Sequence, residues 1–344
     1  KLVSAGAKGV AVGRTEEGKT VLVSGAVPGD VVNARVKKSK SKYFEAEVAE
    51  IIEKSPFRVE PKCIHFGVCG GCKWQNLAYE KQLDFKQDEV FNHIKRIGGF
   101  EDFETQPILG STEEYFYRNK MEFSFSNARW LTQYEISSEE NFGNRDALGF
   151  HIPGMWSKIL DLKECWLQED PSNFIRLAVK QYAVANGLEF FDVKEQTGFL
   201  RTLMLRQNSK GEWMVLFQLF REEKENREKL FDFLLSEFPQ IKTLVYCINS
   251  KQNDSIYDQN VETYFGDGFL MEEMDGLKFK IGPKSFFQTN YKQALELYRK
   301  TLEFADLKGD EVVYDLYTGT GTIAQYVARN AKQVIGIESV QEAI

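Results

Sequence analysis

Residues 315–324 read Asp315-Leu-Tyr-Thr-Gly319-Thr-Gly321-Thr-Ile-Ala324. The segment begins within an apolar run at 312–316 and leads into a helical pattern that continues to Asn330. This spacing fits the G-x-G-x-x-G/A loop that joins a strand to a helix in nucleotide-binding folds. A second apolar run, 334–337, follows the helix and ends at the acidic Glu338. The order strand, glycine loop, helix and strand predicts the beginning of a C-terminal, Rossmann-like α/β domain.

The glycine loop also predicts a cofactor. Gly319 and Gly321 let the backbone approach a ligand closely, and Glu338 is placed to accept hydrogen bonds from both ribose hydroxyls. Asp315 lies four residues before the first glycine, where methyltransferases commonly carry an acid, and no other nucleotide-binding half precedes the loop. These two features favour S-adenosylmethionine. A nicotinamide-dependent oxidoreductase, or a tight turn without a ligand, is the alternative.

Three of the five cysteines lie in one short segment, Cys63-x5-Cys69-Gly70-Gly71-Cys72. In a cytosolic protein a disulfide is disfavoured, so the spacing favours metal binding. The two glycines permit turns that bring the sulfurs together around a charged centre. As a fourth ligand, Cys165 among polar residues is favoured over Cys247 in an apolar strand. Iron–sulfur is favoured over zinc, for which His65 is a further candidate ligand, and over uncoordinated thiols.

The rest of the sequence predicts a multidomain fold. Residues 1–55 alternate β-rich runs with turns, as in a small β-barrel. Residues 56–285 hold the cysteine segment, a helix predicted over 77–97 and a mixture of strands and helices, which indicates an α+β central domain with an antiparallel sheet. Residues 286–344 begin the cofactor-binding domain. Because two parallel strands cannot complete a doubly wound sheet, we expect the sequence to be C-terminally truncated.

The net charge of −7 argues weakly against a nucleic-acid partner, but basic residues cluster locally. The segment 33–43 contains no acidic residue, and it predicts an RNA-binding basic strip of Arg35, Lys37, Lys38, Lys40 and Lys42. A solvated strand face is the alternative. No apolar run approaches the roughly 20 residues of a membrane span, and no secretory signal is present, so we predict a cytoplasmic protein without membrane contact. No protein partner is implied, and a monomer is expected.

Together these features resemble the iron–sulfur-containing RNA uracil-5 methyltransferases, which make 5-methyluridine in ribosomal and transfer RNA. Gly9-Val-Ala and Gly25-Ala-Val-Pro-Gly-Asp30 are similar to a TRAM domain, an OB-like barrel. Tyr117-Arg-Asn-Lys120 and Ser285-Phe-Phe-Gln-Thr-Asn290 are similar to two further motifs of the family. The resemblance spans essentially the whole chain. The cysteine spacing and the N-terminal barrel argue against radical S-adenosylmethionine enzymes that carry TRAM domains.

The resemblance implies three groups of site residues. The cofactor would be bound by Gln288, Tyr317, Thr322 and Glu338, together with Asp315, Gly319 and Gly321 of the loop. A 4Fe-4S cluster with a structural role would be held by Cys63, Cys69, Cys72 and Cys165. Two basic residues, Arg118 and Lys120, would hold RNA phosphates, or equally form exposed ion pairs of little energetic weight.

The resemblance also implies a mechanism. A cysteine thiolate adds to C6 of uracil, C5 then takes the methyl group, and a base removes the C5 proton; the target base must be unstacked. In the family, that cysteine and the general-base glutamate follow the position of Glu338, so we assign no catalytic residue and expect the 344-residue chain alone to be inactive. 23S ribosomal RNA is the favoured substrate. The alternatives are transfer RNA and a non-catalytic RNA-binding module of barrel plus cluster.

Overall fold

The computed structural model describes residues 1–138 and 143–340, so the last four residues of the predicted cofactor domain lie outside it. The chain divides into two compact units, residues 1–114 and 115–344. This division differs from the predicted boundaries at 55/56 and 285/286. The cysteine loop and the helix after it belong with the N-terminal strands, whereas the predicted central domain and the glycine-loop segment share the second unit.

The first unit contains five strands: β1 (Leu2–Gly6), β2 (Val10–Arg14), β3 (Thr20–Ser24), β4 (Val31–Ser39) and β5 (Tyr43–Glu53). They form one sheet in the order β1-β2-β3-β5-β4, in which β3 and β5 are parallel. A 3-10 turn, Ala7–Gly9, joins β1 to β2. The backbone of Leu2 bonds to Gly29 and Asp30, just before β4, at 2.8 and 2.9 Å. The sheet therefore curls back on itself, as the predicted barrel requires.

The segment after β5 is tied to the sheet by a buried ion pair. The Asp30 carboxylate is fully buried and accepts both Nε and Nη2 of Arg58, at 2.8 and 2.7 Å. It also accepts the backbone amides of Val27 and Ser55, at 2.8 and 2.9 Å. Burial opposes ionisation, but these hydrogen bonds outweigh it and hold the pKa of Asp30 below its ordinary value. These bonds join the strands to the segment beyond residue 55 within the first compact unit.

The helix predicted over 77–97 is confirmed. Helix α1 (Tyr79–Asn92) continues into a π-helical turn, His93–Ile97, and ends at Gly98. Gly99 follows with a φ of 74°, a left-handed conformation that glycine adopts without strain. The two consecutive glycines thus end the helix where the sequence indicated.

The second unit begins with a sheet and its covering helices. In order, these elements are β6 (Lys120–Ser126), α2 (Gln133–Ser137), β7 (Ala147–Ile152), β8 (Met155–Asp161), α3 (Ser172–Ala185), β9 (Leu200–Gln207), β10 (Trp213–Leu219), α4 (Lys224–Glu237), β11 (Ile241–Ile248) and β12 (Glu262–Phe265). Within residues 115–138 and 143–340 the sheet order is β12-β11-β10-β9-β6-β7-β8. The prediction of an antiparallel sheet is wrong for one pair of strands, because β10 and β11 are parallel. Helix α4 makes the crossover that parallel neighbours require.

The sheet is covered on both faces. On one face, the Arg176 guanidinium of α3 lies 5.6 Å from the Phe123 ring, and Phe231 of α4 packs against Phe217 with ring centroids 5.0 Å apart. On the other face, an apolar cluster includes Met204, Leu216, Val245 and Leu270. The sheet therefore forms the middle layer of this unit. No helix in residues 1–138 and 143–340 is both long and apolar enough to cross a membrane.

The glycine-loop segment has the predicted order of elements. After the hairpin β13 (Leu270–Met274) and β14 (Leu277–Ile281) come α5 (Tyr291–Ala305), β15 (Val312–Leu316), α6 (Thr322–Val327) and β16 (Gln333–Ile337). Strands β15 and β16 are parallel, with Val312 opposite Gln333 and Leu316 opposite Ile337. Helix α6 makes the crossover, so the strand, glycine loop, helix and strand predicted from the sequence are confirmed.

Candidate cofactor site and thiol loop

The glycine loop joins the end of β15 to the start of α6. Gly319 and Gly321 have φ values of 58° and 73°, in the left-handed region that favours glycine. A Cβ added at Gly319 would meet no atom within 4 Å, so the space beside this backbone is open. Tyr317 also has a positive φ, 62°, and is 91% exposed. The loop therefore presents bare backbone and an aromatic ring to a potential ligand.

Asp315 holds the two ends of this loop together. Its Oδ2 accepts the Thr318 hydroxyl at 2.7 Å and the backbone amide of Ala324 at 3.0 Å. The first bond fixes the turn after β15, and the second meets an unpaired amide of the first turn of α6. In this structure the carboxylate predicted to lie at the cofactor therefore orders the loop.

Glu338 follows β16 and reaches the glycine loop. One carboxylate oxygen accepts the Gly319 amide at 2.9 Å, and the other accepts the amides of Ser339 and Val340 at 2.8 and 2.9 Å. The amides of Val340 and Gly319 lower the pKa of Glu338, so the side chain is ionised at neutral pH. An anionic acceptor thus stands at the edge of the loop, as the sequence predicted.

The remaining predicted cofactor residues belong to the same packed segment. Thr322, at the start of α6, accepts the Tyr298 hydroxyl of α5 at 3.3 Å. Gln288 lies in the loop 282–290 between β14 and α5, beside the buried Phe287. Phe287 shares a core with Tyr298 and with Tyr326 of α6. One core therefore supports both the loop that carries Gln288 and the helix that begins at Thr322.

The cysteine segment forms a loop of neighbouring thiols in the first unit. Burial raises the pKa of Cys69, and the charges of Cys72 and Cys63 raise it further, whereas the Gly71 amide, 3.4 Å from Cys69 Sγ, lowers it. The loop packs against the 3-10 turn before β2: a Cβ at Gly9 would lie 2.5 Å from Cβ of Lys73. Within residues 1–138 and 143–340, no group of three or more His, Cys, Asp or Glu side chains is arranged to hold a metal ion.

The two other cysteines have different surroundings in the second unit. Cys165 is half-buried, and Asn173 brackets it by accepting its amide at 2.8 Å and donating to its carbonyl at 3.1 Å. Cys247 is 1% exposed in β11, and burial raises its pKa to about 11. The sequence-based preference for Cys165 as a ligand stays a prediction, and Cys247 has the buried environment expected of an inert thiol.

The predicted basic strip lies on β4 and the turn after it. Arg35 and Lys37 approach Glu47 of β5, at 3.7 and 3.0 Å, and Lys38 approaches Glu45 at 3.7 Å. The charges of these three residues are partly neutralised. In contrast, Lys40 and Lys42 form no ion pair with any side chain of residues 1–138 and 143–340. All five basic residues are exposed, and those of the five left without an ion pair among the described residues are Lys40 and Lys42, at the tip of the strip.

The motif at 117–120 contains a residue that sequence reasoning missed. Lys120, predicted to hold phosphate, forms a 2.6 Å ion pair with Glu122, so part of its charge is neutralised. Asn119 between the two basic residues is buried, and it contacts the loop that carries Gln288 through two hydrogen bonds. The signal available in the sequence was an asparagine at the start of a strand, which by itself indicates no partner.

Comparison with known proteins identifies relatives along the whole chain. Residues 4–49 match the TRAM domain family. The chain is 49% identical over 341 residues to an uncharacterized RNA methyltransferase of Bacteroides thetaiotaomicron. This alignment covers 98% of this chain and 75% of that protein. It is also 48% identical over 343 residues to an uncharacterized RNA methyltransferase of Porphyromonas gingivalis. That alignment covers 98% of this chain and 74% of that protein.

The fold is also similar to a solved structure. The tRNA (uracil-54, C5)-methyltransferase of Pyrococcus abyssi, solved in complex with S-adenosyl-L-homocysteine, aligns with a TM-score of 0.72 at 26% identity. The alignment covers 100% of this chain and 74% of that one. None of these matches supports the expected inactivity of the chain or the expected cluster. They confirm the TRAM strands and the expected enzyme class: this chain belongs to the RNA methyltransferase family.

Proposed function

We propose that this protein uses S-adenosylmethionine to methylate C5 of a uridine in RNA, with 23S ribosomal RNA as the substrate. The observation that carries the proposal is the ionised Glu338 carboxylate beside the open glycine loop. The structural neighbour from Pyrococcus abyssi acts on uracil C5 and binds S-adenosyl-L-homocysteine, which supports both the reaction and the cofactor. Because that neighbour acts on transfer RNA, transfer RNA is the second candidate substrate.

The residues present fit this cofactor. The unobstructed backbone at Gly319 allows close approach of an adenosyl group, and the Glu338 oxygen that accepts the Gly319 amide has a lone pair left to accept a ribose hydroxyl. Asp315 keeps the loop in this shape, and Gln288 and Tyr317 supply an amide and an aromatic ring. When bound, S-adenosylmethionine supplies a methyl group on a positively charged sulfur. The residues of this chain bind and orient it.

We assign the addition to uracil C6 to no cysteine of this chain. A nucleophilic thiol needs a pKa near or below the working pH, whereas burial raises the pKa of Cys247 to about 11. The other four cysteines are the proposed cluster ligands. The residues we assign here therefore act on the cofactor and on the RNA.

Two experiments test the proposed function. Isothermal titration should show binding of S-adenosylhomocysteine and none of NAD; the reverse would indicate an oxidoreductase. Base-resolved mapping of 5-methyluridine in a strain lacking the gene should then show loss at a position in 23S ribosomal RNA. Loss in transfer RNA instead would favour the second candidate substrate. Full retention of 5-methyluridine in both RNAs would contradict uridine methylation and favour a non-catalytic RNA-binding module.

The proposal includes a 4Fe-4S cluster on the thiol loop. Cysteine is the usual ligand of such clusters, and hydrogen bonds to their sulfurs tune them. The loop offers three thiols, of which Cys72 and Cys63 raise the pKa of Cys69, and one backbone amide directed at Cys69 Sγ. On the resemblance, Cys165 supplies the fourth sulfur. The cluster has no role in methyl transfer; by linking its ligands it would contribute to folding.

Anaerobically purified protein is expected to contain about four irons per chain and a visible absorbance band that dithionite bleaches. Cys69→Ser should remove most of the iron, because the cluster would keep only three of its four ligands. Cys247→Ala is the matched control and should retain it, since this buried thiol is not among the proposed ligands. Stoichiometric zinc without iron in the wild-type protein would disprove the cluster.

The tip of the basic strip is proposed to bind RNA phosphate. Replacing Lys40 and Lys42 by Gln should weaken RNA binding irrespective of sequence and lower the salt slope by about 1 for each phosphate that is no longer neutralised. The measurement is the dissociation constant for an RNA fragment over a range of salt concentrations. Lys229→Gln is the control, because it removes an exposed lysine that pairs with Glu225 on α4. An unchanged salt slope in the double variant would refute the proposed role of the tip.

A further inference from the structure

Asn119 binds the loop that carries Gln288 across 169 positions of sequence. Its side-chain amide donates to the Gln288 carbonyl at 3.0 Å, and its backbone amide donates to the Thr289 carbonyl at 2.7 Å. Its own carbonyl accepts the Gln207 amide of β9 at 2.9 Å, which fixes Asn119 to the central sheet. Two consecutive peptide groups of the irregular loop are thereby bonded to the residue that immediately precedes β6.

Arg206 binds the same loop at its other end. It lies opposite Lys120 in the β6–β9 pairing and is 3% exposed. Its Nη1 donates to the Gly282 carbonyl at 2.9 Å and its Nη2 to the Ser285 carbonyl at 3.0 Å. Burial lowers its pKa to about 10, so the guanidinium remains protonated at neutral pH. Four carbonyl groups of the loop 282–290 thus accept hydrogen bonds from Asn119 and Arg206.

The loop is also fixed on the side of the glycine loop. Phe287 is buried against Tyr298 and Tyr326, and the Asn290 side chain caps α5 by accepting the Gln293 amide at 3.1 Å. The half-buried Gln288 lies between Phe287 and Thr289, which are both held. The backbone on each side of this residue is therefore ordered by contacts that lie outside the proposed cofactor contacts.

From these contacts we infer that Asn119 and Arg206 are positioning residues that hold Gln288 in place for the cofactor. The inference rests on the proposed function, which assigns Gln288 to S-adenosylmethionine. A loop ordered in advance loses little conformational entropy when a ligand binds, so its side chains contribute more of their interaction to affinity. Within the motif at 117–120, Asn119 is accordingly the residue that supports the cofactor site. It does so by donating a hydrogen bond to the peptide carbonyl of Gln288.

Two conservative variants test the inference. Asn119→Asp keeps the size of the side chain but replaces the amide donor by a carboxylate, and Arg206→Lys keeps the charge but cannot donate to two carbonyls in the same fork. Each variant should raise the dissociation constant for S-adenosylhomocysteine about tenfold, measured by titration at a temperature where circular dichroism shows all proteins folded. In a Gln288→Ala background, the same Asn119→Asp change should have little further effect.

The chain offers matched controls for both variants. Arg201 is a buried arginine of the same strand whose guanidinium donates to the carbonyls of Asn249, Lys251 and Asn253. Asn249 is a buried asparagine that donates to the Gln218 side chain. Arg201→Lys and Asn249→Asp should lower the melting temperature comparably and leave the affinity for S-adenosylhomocysteine unchanged.

Three results would overturn the inference alone, in wild-type protein that binds S-adenosylhomocysteine. They are unchanged affinity in Asn119→Asp and Arg206→Lys, equal weakening in the Arg201 and Asn249 controls, and an Asn119→Asp effect that persists in full without the Gln288 side chain. Wild-type protein that fails to bind S-adenosylhomocysteine at all would instead overturn the proposed function, and the inference with it.

Discussion

Replacement of Asp30 by Ala is expected to destabilise the N-terminal unit by about 3–5 kcal/mol, as when one partner is removed from a buried ion pair. The carboxylate is fully buried and accepts four hydrogen bonds, two from Arg58 and two from backbone amides. The variant would leave the Arg58 guanidinium, which is 17% exposed, and the amides of Val27 and Ser55 without this acceptor. Hydrogen–deuterium exchange of peptides from residues 1–60 measures the loss separately from the second unit.

The effect of Asp30→Ala should also depend on pH. The pKa of Asp30 is lowered in the folded state, so its contribution is complete above the pKa of the unfolded chain, about 3.9, and is lost as the pH falls through the folded value. The difference in stability between wild type and variant should therefore begin to shrink below about pH 4 and become smallest once the pH is below the folded pKa. Asp84→Ala is the control, because its ion pair with Lys81 is exposed and should contribute at most about 1 kcal/mol. An equal effect of the two substitutions would contradict the prediction.

Replacement of Glu338 by Ala is expected to weaken binding of S-adenosylhomocysteine by about 10- to 150-fold, because hydrogen bonds to a charged group are lost. The variant loses the proposed acceptor for the ribose and also the bond that holds the Gly319 amide. Because the pKa of Glu338 is lowered, the wild-type affinity should stay constant between pH 8 and about pH 6 as far as this residue is concerned. Isothermal titration measures both effects.

Glu311 provides a matched control for Glu338. Its carboxylate lies at the other end of β15 and accepts two backbone amides, of Lys308 and Gly309, at 2.8 and 3.0 Å. Its pKa is lowered in the same way, chiefly by the Lys308 amide. Glu311→Ala should leave the affinity for S-adenosylhomocysteine within about twofold of the wild-type value. Comparable weakening by the two variants would mean that loop stability, and not the ribose contact, explains the loss.

The regular elements were predictable from local patterns. Two consecutive glycines mark the end of the π-helical turn that continues α1, and the G-x-G spacing after an apolar run indicates the turn between β15 and α6. In both cases the residues that specify the structure are neighbours in sequence. Their signal is conformational, because glycine permits the positive φ that these turns require.

The relation between distant segments was not predictable in the same way. Nothing in the local pattern of β10 and β11 distinguishes a parallel from an antiparallel pair, and the structure shows them parallel across α4. The ion pair across the predicted boundary after residue 55 was likewise not predictable, because Arg58 lies beyond this boundary and pairs with Asp30 before it. Both features depend on contacts between residues that are far apart in the chain.

For this protein, sequence alone determined the order of the elements, the glycine loop with Glu338 after it, and the enzyme class to which the chain belongs, because motifs of adjacent residues specify these features. Tertiary structure alone decided which charges are buried or already paired, as for Asp30 and Lys120, and that Asn119 contacts the loop of Gln288. The physical reason is that burial and hydrogen bonding are properties of packed surfaces. Chain folding, and not sequence neighbourhood, determines which groups share a surface.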